Sequence, residues 1–199
     1  MRSPIVLCLA LLLLAGCGST PPTKFYGLAP VSAPKAARNA AAEGQLVLGI
    51  GPVELPKTLD RPQIVTRRGQ NEFDLAEFDH WAEPLEDNVP QVLSENLAVL
   101  VPAKRTVIYP WDRSAEVDYQ VVVKVLRFDR SQGGDAVLKV RWGLKSPTNE
   151  NELLARDTSY AKRPAGEDTK ATVEAMNFVL GEFSRDVAQA IRGLGNPAP

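Results

Sequence analysis

The sequence predicts a single α+β domain, an antiparallel or mixed β-sheet with two main amphipathic helices packed on one side. Three observations point there. Residues 117–128 and 136–145 alternate apolar and polar side chains on either side of Gly133-Gly134, the pattern of a long hairpin with one wet face. Two other stretches, about 85–100 and 169–192, carry apolar residues at spacings of three and four, the stripe of a helix that covers another layer. The chain has 199 residues, 44% hydrophobic and 24% charged, which suits one ordinary globular core. Lys plus Arg number 23 and Asp plus Glu 24, a net charge of −1. That balance lacks the basic excess of a nucleic-acid binder, so no nucleic acid is expected among the partners.

In chain order, the first sixteen residues form an export signal rather than part of the fold. Met1-Arg2 is a short positive start, and Ile5 to Leu14 is an uncharged apolar run too short for a comfortable membrane span. Ala15 and Gly16 are small, and Leu14-Ala15-Gly16-Cys17 resembles the bacterial lipobox. The resemblance implies that the Cys17 thiol receives a diacylglyceryl group, that cleavage precedes Cys17, and that the new amino terminus is acylated as well. Loss of residues 1–16 removes Arg2 and Cys8, leaving 183 residues, a net charge of −2 and one cysteine whose sulfur carries lipid. Disulfides, thiol nucleophiles and thiolate metal sites thereby drop out. The covalent lipid on Cys17 is the only group expected; no cofactor or metal is. Two or more acyl chains hold a protein on a membrane stably. Gly18 follows Cys17 in place of the aspartate associated with inner-membrane retention, so the resemblance implies the periplasmic face of the outer membrane. Residues 18–23 (GSTPPT) form a short tether reaching at most ~20 Å. The domain is expected over 24–195, with a tail at 196–199.

Lys24 to Leu28 reads as a short strand, and Ala29 to Gly44, rich in Ala and Pro, as an exposed loop. Gln45 to Val53 reads as a strand ended by Pro52 and Pro56. Its Gly49-Ile50-Gly51 is no dinucleotide fingerprint, because Pro52 follows and no third glycine or helix opens there. Gln63 to Thr66 and Glu72 to Phe78 read as strands joined by a turn at Arg68-Gly69-Gln70-Asn71. Leu85, Val89, Val92, Leu93, Leu97 and Leu100 stripe the first helix. It starts either with Pro84 at the first helical position, which leaves Pro90 inside, or at Asn88 as N-cap, which puts Pro90 in the first turn. Arg105 to Tyr109 is a strand ending at Pro110. In the following strand Val117, Tyr119, Val121, Val123 and Val125 share one face, while Leu126 and Phe128 lie on the other. Ala136, Leu138, Val140, Trp142 and Leu144 form the buried face of the next strand, and Glu152 to Tyr160 extends the sheet. The second helix, striped by Val173, Met176, Leu180, Phe183, Val187 and Ile191, is capped by Asp168 or Thr169 and ended by Gly193.

Catalytic raw material is scarce. His80 is the only histidine, and no GxSxG elbow supplies it with a serine, so it reads as a half-buried residue at a strand-to-helix junction. Glu77, Asp79, Glu83, Glu86 and Asp87 cluster without the loop pattern of an EF-hand, and a helix start attracts acids through its dipole. Asp60-Arg61-Pro62 sets an ion pair at a strand start or forms part of a partner surface. Trp81 and Trp111 flank the first helix and the strand after it, and fill a core edge or anchor an interface.

Several of these stretches together resemble one family. Phe25-Tyr26-Gly27-Leu28 resembles its first strand, and Leu59-Asp60-Arg61-Pro62-Gln63-Ile64-Val65 followed by Arg67 resembles its most recognisable segment. His80-Trp81-Ala82-Glu83-Pro84-Leu85 with Val92-Leu93 and Asn96-Leu97 resembles its tryptophan-led first helix. The chain is identified on these residues as a member of the ABC-type transport auxiliary lipoproteins; Pro90 departs from the pattern of an uninterrupted helix. The resemblance implies a non-catalytic outer-membrane lipoprotein of an intermembrane lipid-transport system. Its partners would be the outer membrane, through the lipid on Cys17, and a mammalian-cell-entry (MCE) domain transporter subunit whose conduit it docks. Copies of the chain are expected to form a homo-oligomeric ring. Arg61 and Trp81 are the candidate partner-binding residues. Two other classes stay open: an assembly lipoprotein for an outer-membrane β-barrel, and a periplasmic hydrolase using His80 or Glu83.

Overall fold

The computed structural model describes residues 20–32, 45–146 and 152–194. The signal segment, Cys17, most of the Ala29–Gly44 loop and the C-terminal tail lie outside them. The described elements are β1 (Lys24–Tyr26), β2 (Leu46–Glu54), β3 (Gln63–Arg68), β4 (Glu72–Trp81), α1 (Leu85–Leu100), β5 (Ala103–Ile108), β6 (Tyr119–Ser131), β7 (Ala136–Lys145), β8 (Glu152–Lys162) and α2 (Thr169–Leu194). The strands form one open mixed sheet, and the two helices pack on it and on each other: α1 against β2 and β5, α2 against β6, β7 and β8. The fold is the predicted α+β class.

β6 organises the sheet. One of its edges is taken along its length by antiparallel β7, from Gln120 opposite Lys145 to Arg130 opposite Ala136. The other edge is divided. Parallel β2 occupies it from Tyr119 to Lys124, and parallel β3 takes over at Arg130 and Ser131. The sheet therefore forks into one wing ending at β5 and another continuing through β4 to β1. A register shift between Val125 and Arg127 turns the last part of β6 over, so Phe128 joins Val121, Val123 and Val125 in the core while Leu126 stays exposed. Strict alternation had put Phe128 on the opposite face. Beneath α2, Trp142 meets Phe183 edge-on at 5.8 Å, and each such buried apolar side chain contributes about 1.5–3 kcal/mol.

One proline departs from the sequence expectation, and another decides between the two helix starts it left open. Pro52 does not end β2; it sits exposed in a bulge where the ladder to β6 skips from Ile50 to Val53, so its missing N–H leaves no bond unmade. Gly51 reaches φ +110° there, a conformation open to glycine. Pro90 lies inside α1, which starts at Leu85 with Pro84 in the cap position. Asn88 is thus not the cap, and the carbonyl freed by Pro90 belongs to exposed Glu86, where water can reach it. At the far end, α2 runs through Gly193 to Leu194.

The chain after β1 is not a free loop in its described part. The backbone N–H groups of Leu28, Ala29 and Val31 donate to the side-chain oxygens of Asn88 (2.8 Å), Asn177 (3.0 Å) and Asn96 (2.7 Å), which stand on α1, α2 and α1. Asn96 Nδ2 donates in turn to Ser184 Oγ on α2 at 2.9 Å. The segment is a strap sewn across both helices by amide side chains. Arg130, only 4% exposed, holds the start of α2 by donating from Nη1 to Thr172 Oγ1 (3.1 Å) and from Nη2 to Glu167 Oε2 (2.5 Å). Asp168 caps that helix, its Oδ1 accepting from the Ala171 N–H at 2.7 Å. A second, smaller apolar cluster joins Val47, Ala115 and Val117 to half-buried Trp111, whose ring lies over Gly49.

Candidate partner-binding pocket

The segments around Arg61 and Trp81, twenty residues apart, meet where β3 begins and β4 ends. A 3-10 turn at Lys57–Leu59 delivers Asp60-Arg61-Pro62 to the start of β3, with the Arg61 N–H donating to the Leu59 carbonyl at 2.9 Å. The Trp81 N–H then donates to the Pro62 carbonyl at 2.7 Å, and the Ala82 N–H to that of Tyr26 at 2.7 Å, tying β4 to both neighbours. Beside this knot lies a pocket of about 340 Å³ lined by Arg61, Pro62, Trp81, Pro84 and Leu85. Trp81 and Leu85 are buried and form its apolar wall. Arg61 is half-buried, and its Nε is enclosed without a hydrogen-bond partner among the described residues. Asp60, Glu83 and Glu86 stand exposed at the mouth.

The acids that cluster in the sequence separate in space. Asp79 accepts from Tyr26 Oη (3.0 Å) and Thr169 Oγ1 (2.7 Å), pinning β1 and α2 to β4. Partial burial, with the Asp79 hydrogen bond second, pushes the Tyr26 phenol above its ordinary value. Glu83 accepts from Asn88 Nδ2. Glu86 alone of these three turns to the pocket without such a partner among the described residues. His80 lies half-buried on β4, edge-on to Phe25 with ring centroids 6.1 Å apart, and its Nε2 is enclosed without a partner. Among the described residues, neither His80 nor Glu83 is hydrogen-bonded to a hydroxyl. The sequence alone does not show that Pro84, Leu85 and Glu86 line a pocket together with Arg61 and Trp81; Pro84-Leu85 following closely on Trp81 is the available signal.

A family model described as "ABC-type transport auxiliary lipoprotein component" matches residues 26–188. The chain belongs to that family. It is 23% identical over 186 residues to the intermembrane transport lipoprotein PqiC of Escherichia coli K12, covering 94% of this chain and 96% of that one, and PqiC of Shigella flexneri matches to the same extent. The fold is shared with a crystal structure of an uncharacterised protein (TM-score 0.70, 17% identity, 86% of this chain and 99% of that one). It is also shared with protein XCC0632 from Xanthomonas campestris (TM-score 0.65, 16% identity, 83% and 92%). The family match takes in the 59–67 and 80–97 segments that carried the resemblance and the whole pocket they build. As an auxiliary lipoprotein of a transport system, the protein is a component of the cell envelope.

Proposed function

We propose that the protein is a non-catalytic outer-membrane lipoprotein of an MCE-type intermembrane lipid-transport system, which docks the periplasm-spanning component at the outer membrane and so supports envelope integrity. The observation that carries this reading is the end-to-end similarity to an intermembrane transport lipoprotein, 94% of one chain against 96% of the other. Cys17, with its two or three acyl chains, is the mooring. The Arg61–Trp81 pocket is the receptor, and its position suits a docking role. β1, the first strand after the tether, pairs Tyr26 with Trp81, so the pocket opens beside the root of the anchor. Confinement to a membrane surface raises effective concentration, which lets modest contacts give stable docking. Copies gather in a homo-oligomeric ring around the end of the conduit.

In-cell photo-crosslinking from Pro62 and Glu86, two exposed positions at the pocket, followed by mass spectrometry, tests the partner. Capture of an MCE-domain subunit is expected; recovery of an outer-membrane β-barrel without any MCE protein overturns the reading. Mass spectrometry of the mature chain tests the mooring, and an unmodified thiol at Cys17 sinks it.

A further inference from the structure

The pocket has a neighbour. On the other side of Asp60 and Glu86, which line both, a hollow of about 380 Å³ is walled by Val53, Leu55 and Leu59. Two apolar depressions thus flank a ridge made of two carboxylates. Neither Asp60 nor Glu86 has an ion-pair partner among the described residues. Glu83 adds a third carboxylate at the pocket mouth, against the single guanidinium of Arg61; in the second hollow Lys57 stands beside Glu54, which is already bound to Lys124 at 3.3 Å. Arg61 lines the pocket half-buried, and the accessible end of its guanidinium can donate to an acceptor that enters.

We propose that this double hollow receives an extended peptide segment of the docked transport subunit, one in which a lysine or arginine has an apolar side chain two residues before it and another two residues after it. This rests on the docking reading above and names what the partner must present. The basic side chain lies on the ridge between Asp60 and Glu86. An apolar side chain on one flank enters against Trp81 and Leu85, and one on the other flank against Val53, Leu55 and Leu59. A backbone carbonyl of the segment accepts from the accessible end of the Arg61 guanidinium. Alternate residues of an extended chain point the same way about 6–7 Å apart, so the basic side chain and the two apolar ones, each two residues from it, face the protein together. A phospholipid headgroup suits the site less well, because its phosphate would meet four carboxylates, Glu54, Asp60, Glu83 and Glu86, against the two cations Lys57 and Arg61. The ridge carboxylates make no ion pair among the described residues and so are free to select a partner by charge.

The test uses the full lipidated protein in detergent and a fluorescein-labelled peptide of the order leucine-serine-lysine-serine-leucine, which puts both leucines and the lysine on one face when extended, read by fluorescence anisotropy. Its counterpart with glutamate in place of lysine serves as one control and Glu174→Lys, at an exposed position of α2, as another. The lysine peptide should bind and the glutamate peptide should not. Asp60→Asn combined with Glu86→Gln should weaken binding by roughly tenfold or more, while Glu174→Lys, an equal change of net charge made elsewhere, should leave it unaltered. Equal binding of both peptides, or wild-type affinity in the double variant, overturns the proposal. Displacement of the lysine peptide by phosphatidylethanolamine supplied in the same detergent micelles also overturns it, in favour of a headgroup site. If crosslinking captures an MCE subunit while the lysine peptide fails to bind, docking stands and this description of the segment falls; if the peptide binds and no MCE subunit is captured, the reverse holds.

Discussion

Replacing Asn96 by alanine should release the strap from the helices. Asn96 is 1% exposed and makes two bonds of opposite sense, accepting from the Val31 N–H at 2.7 Å and donating to Ser184 Oγ at 2.9 Å. Each is worth about 1 kcal/mol net, and the lost side chain leaves a small void at the helix–helix contact. Ser184 loses less than Val31, since its hydroxyl still donates to the Leu180 carbonyl at 2.8 Å. The expected loss is about 2–4 kcal/mol, which in a domain of this size lowers Tm by roughly 5–12 °C. Asn177→Ala removes one exposed bond to the Ala29 N–H and should cost about 0.5 kcal/mol. Urea unfolding followed by far-ultraviolet circular dichroism gives the stability, and hydrogen exchange at the Val31 amide tells whether the strap itself has lifted. A loss below about 0.5 kcal/mol for Asn96→Ala, or Val31 exchange unchanged, would refute the reasoning.

Gly49→Ala would set a methyl carbon 2.5 Å from Trp111 Cη2 and 2.9 Å from a Val117 methyl, so it should cost about 1–3 kcal/mol and shift tryptophan emission; wild-type emission and midpoint would contradict the contact. Arg130→Met should cost about 2–4 kcal/mol by urea midpoint, but Glu167→Gln under about 1, because Arg130 is buried and Glu167 is 79% exposed and screened. Equal losses would mean the ion pair, not the anchoring of α2, matters. Burial, reinforced by the 2.6 Å hydrogen bond to Asp186, holds the Tyr160 phenol far above its ordinary value. The fold prefers its neutral form, so that contribution is complete below a pH of about 10 and is lost as pH climbs through the folded value. Absorbance at 295 nm should show Tyr160 ionising last, together with alkaline unfolding, and Tyr160→Phe should remove that late phase.

The elements with strong periodicity were legible from the residues alone. β7 alternates cleanly because one face is core and the other water, and the stripe of α2 is regular because one face meets the sheet. The strand after Arg61 was legible too, and the one that ends at Trp81 as far as Phe78, though the convergence of the two residues on one pocket was not, since it depends on how β3 and β4 pair. What escaped were features that break a period or join distant parts. The bulge after Val125 put Phe128 into the core against its parity. Pro52 and Pro90 read as breakers, yet both sit where a missing N–H costs little. The three asparagines of the strap look like ordinary helix surface residues in a linear reading; only the crossing of the chain over α1 and α2 gives Asn88 and Asn96 their buried partners.

The same strap decides how the protein would bear a pull. Tension applied through the residues before Lys24 reaches first the three-residue ladder that β1 makes parallel to β4, and then three amide stitches that land on both helices. The load is therefore shared between the two layers of the domain instead of falling on one edge strand, and a tug strong enough to strip β1 would still have to work against α1 and α2 together.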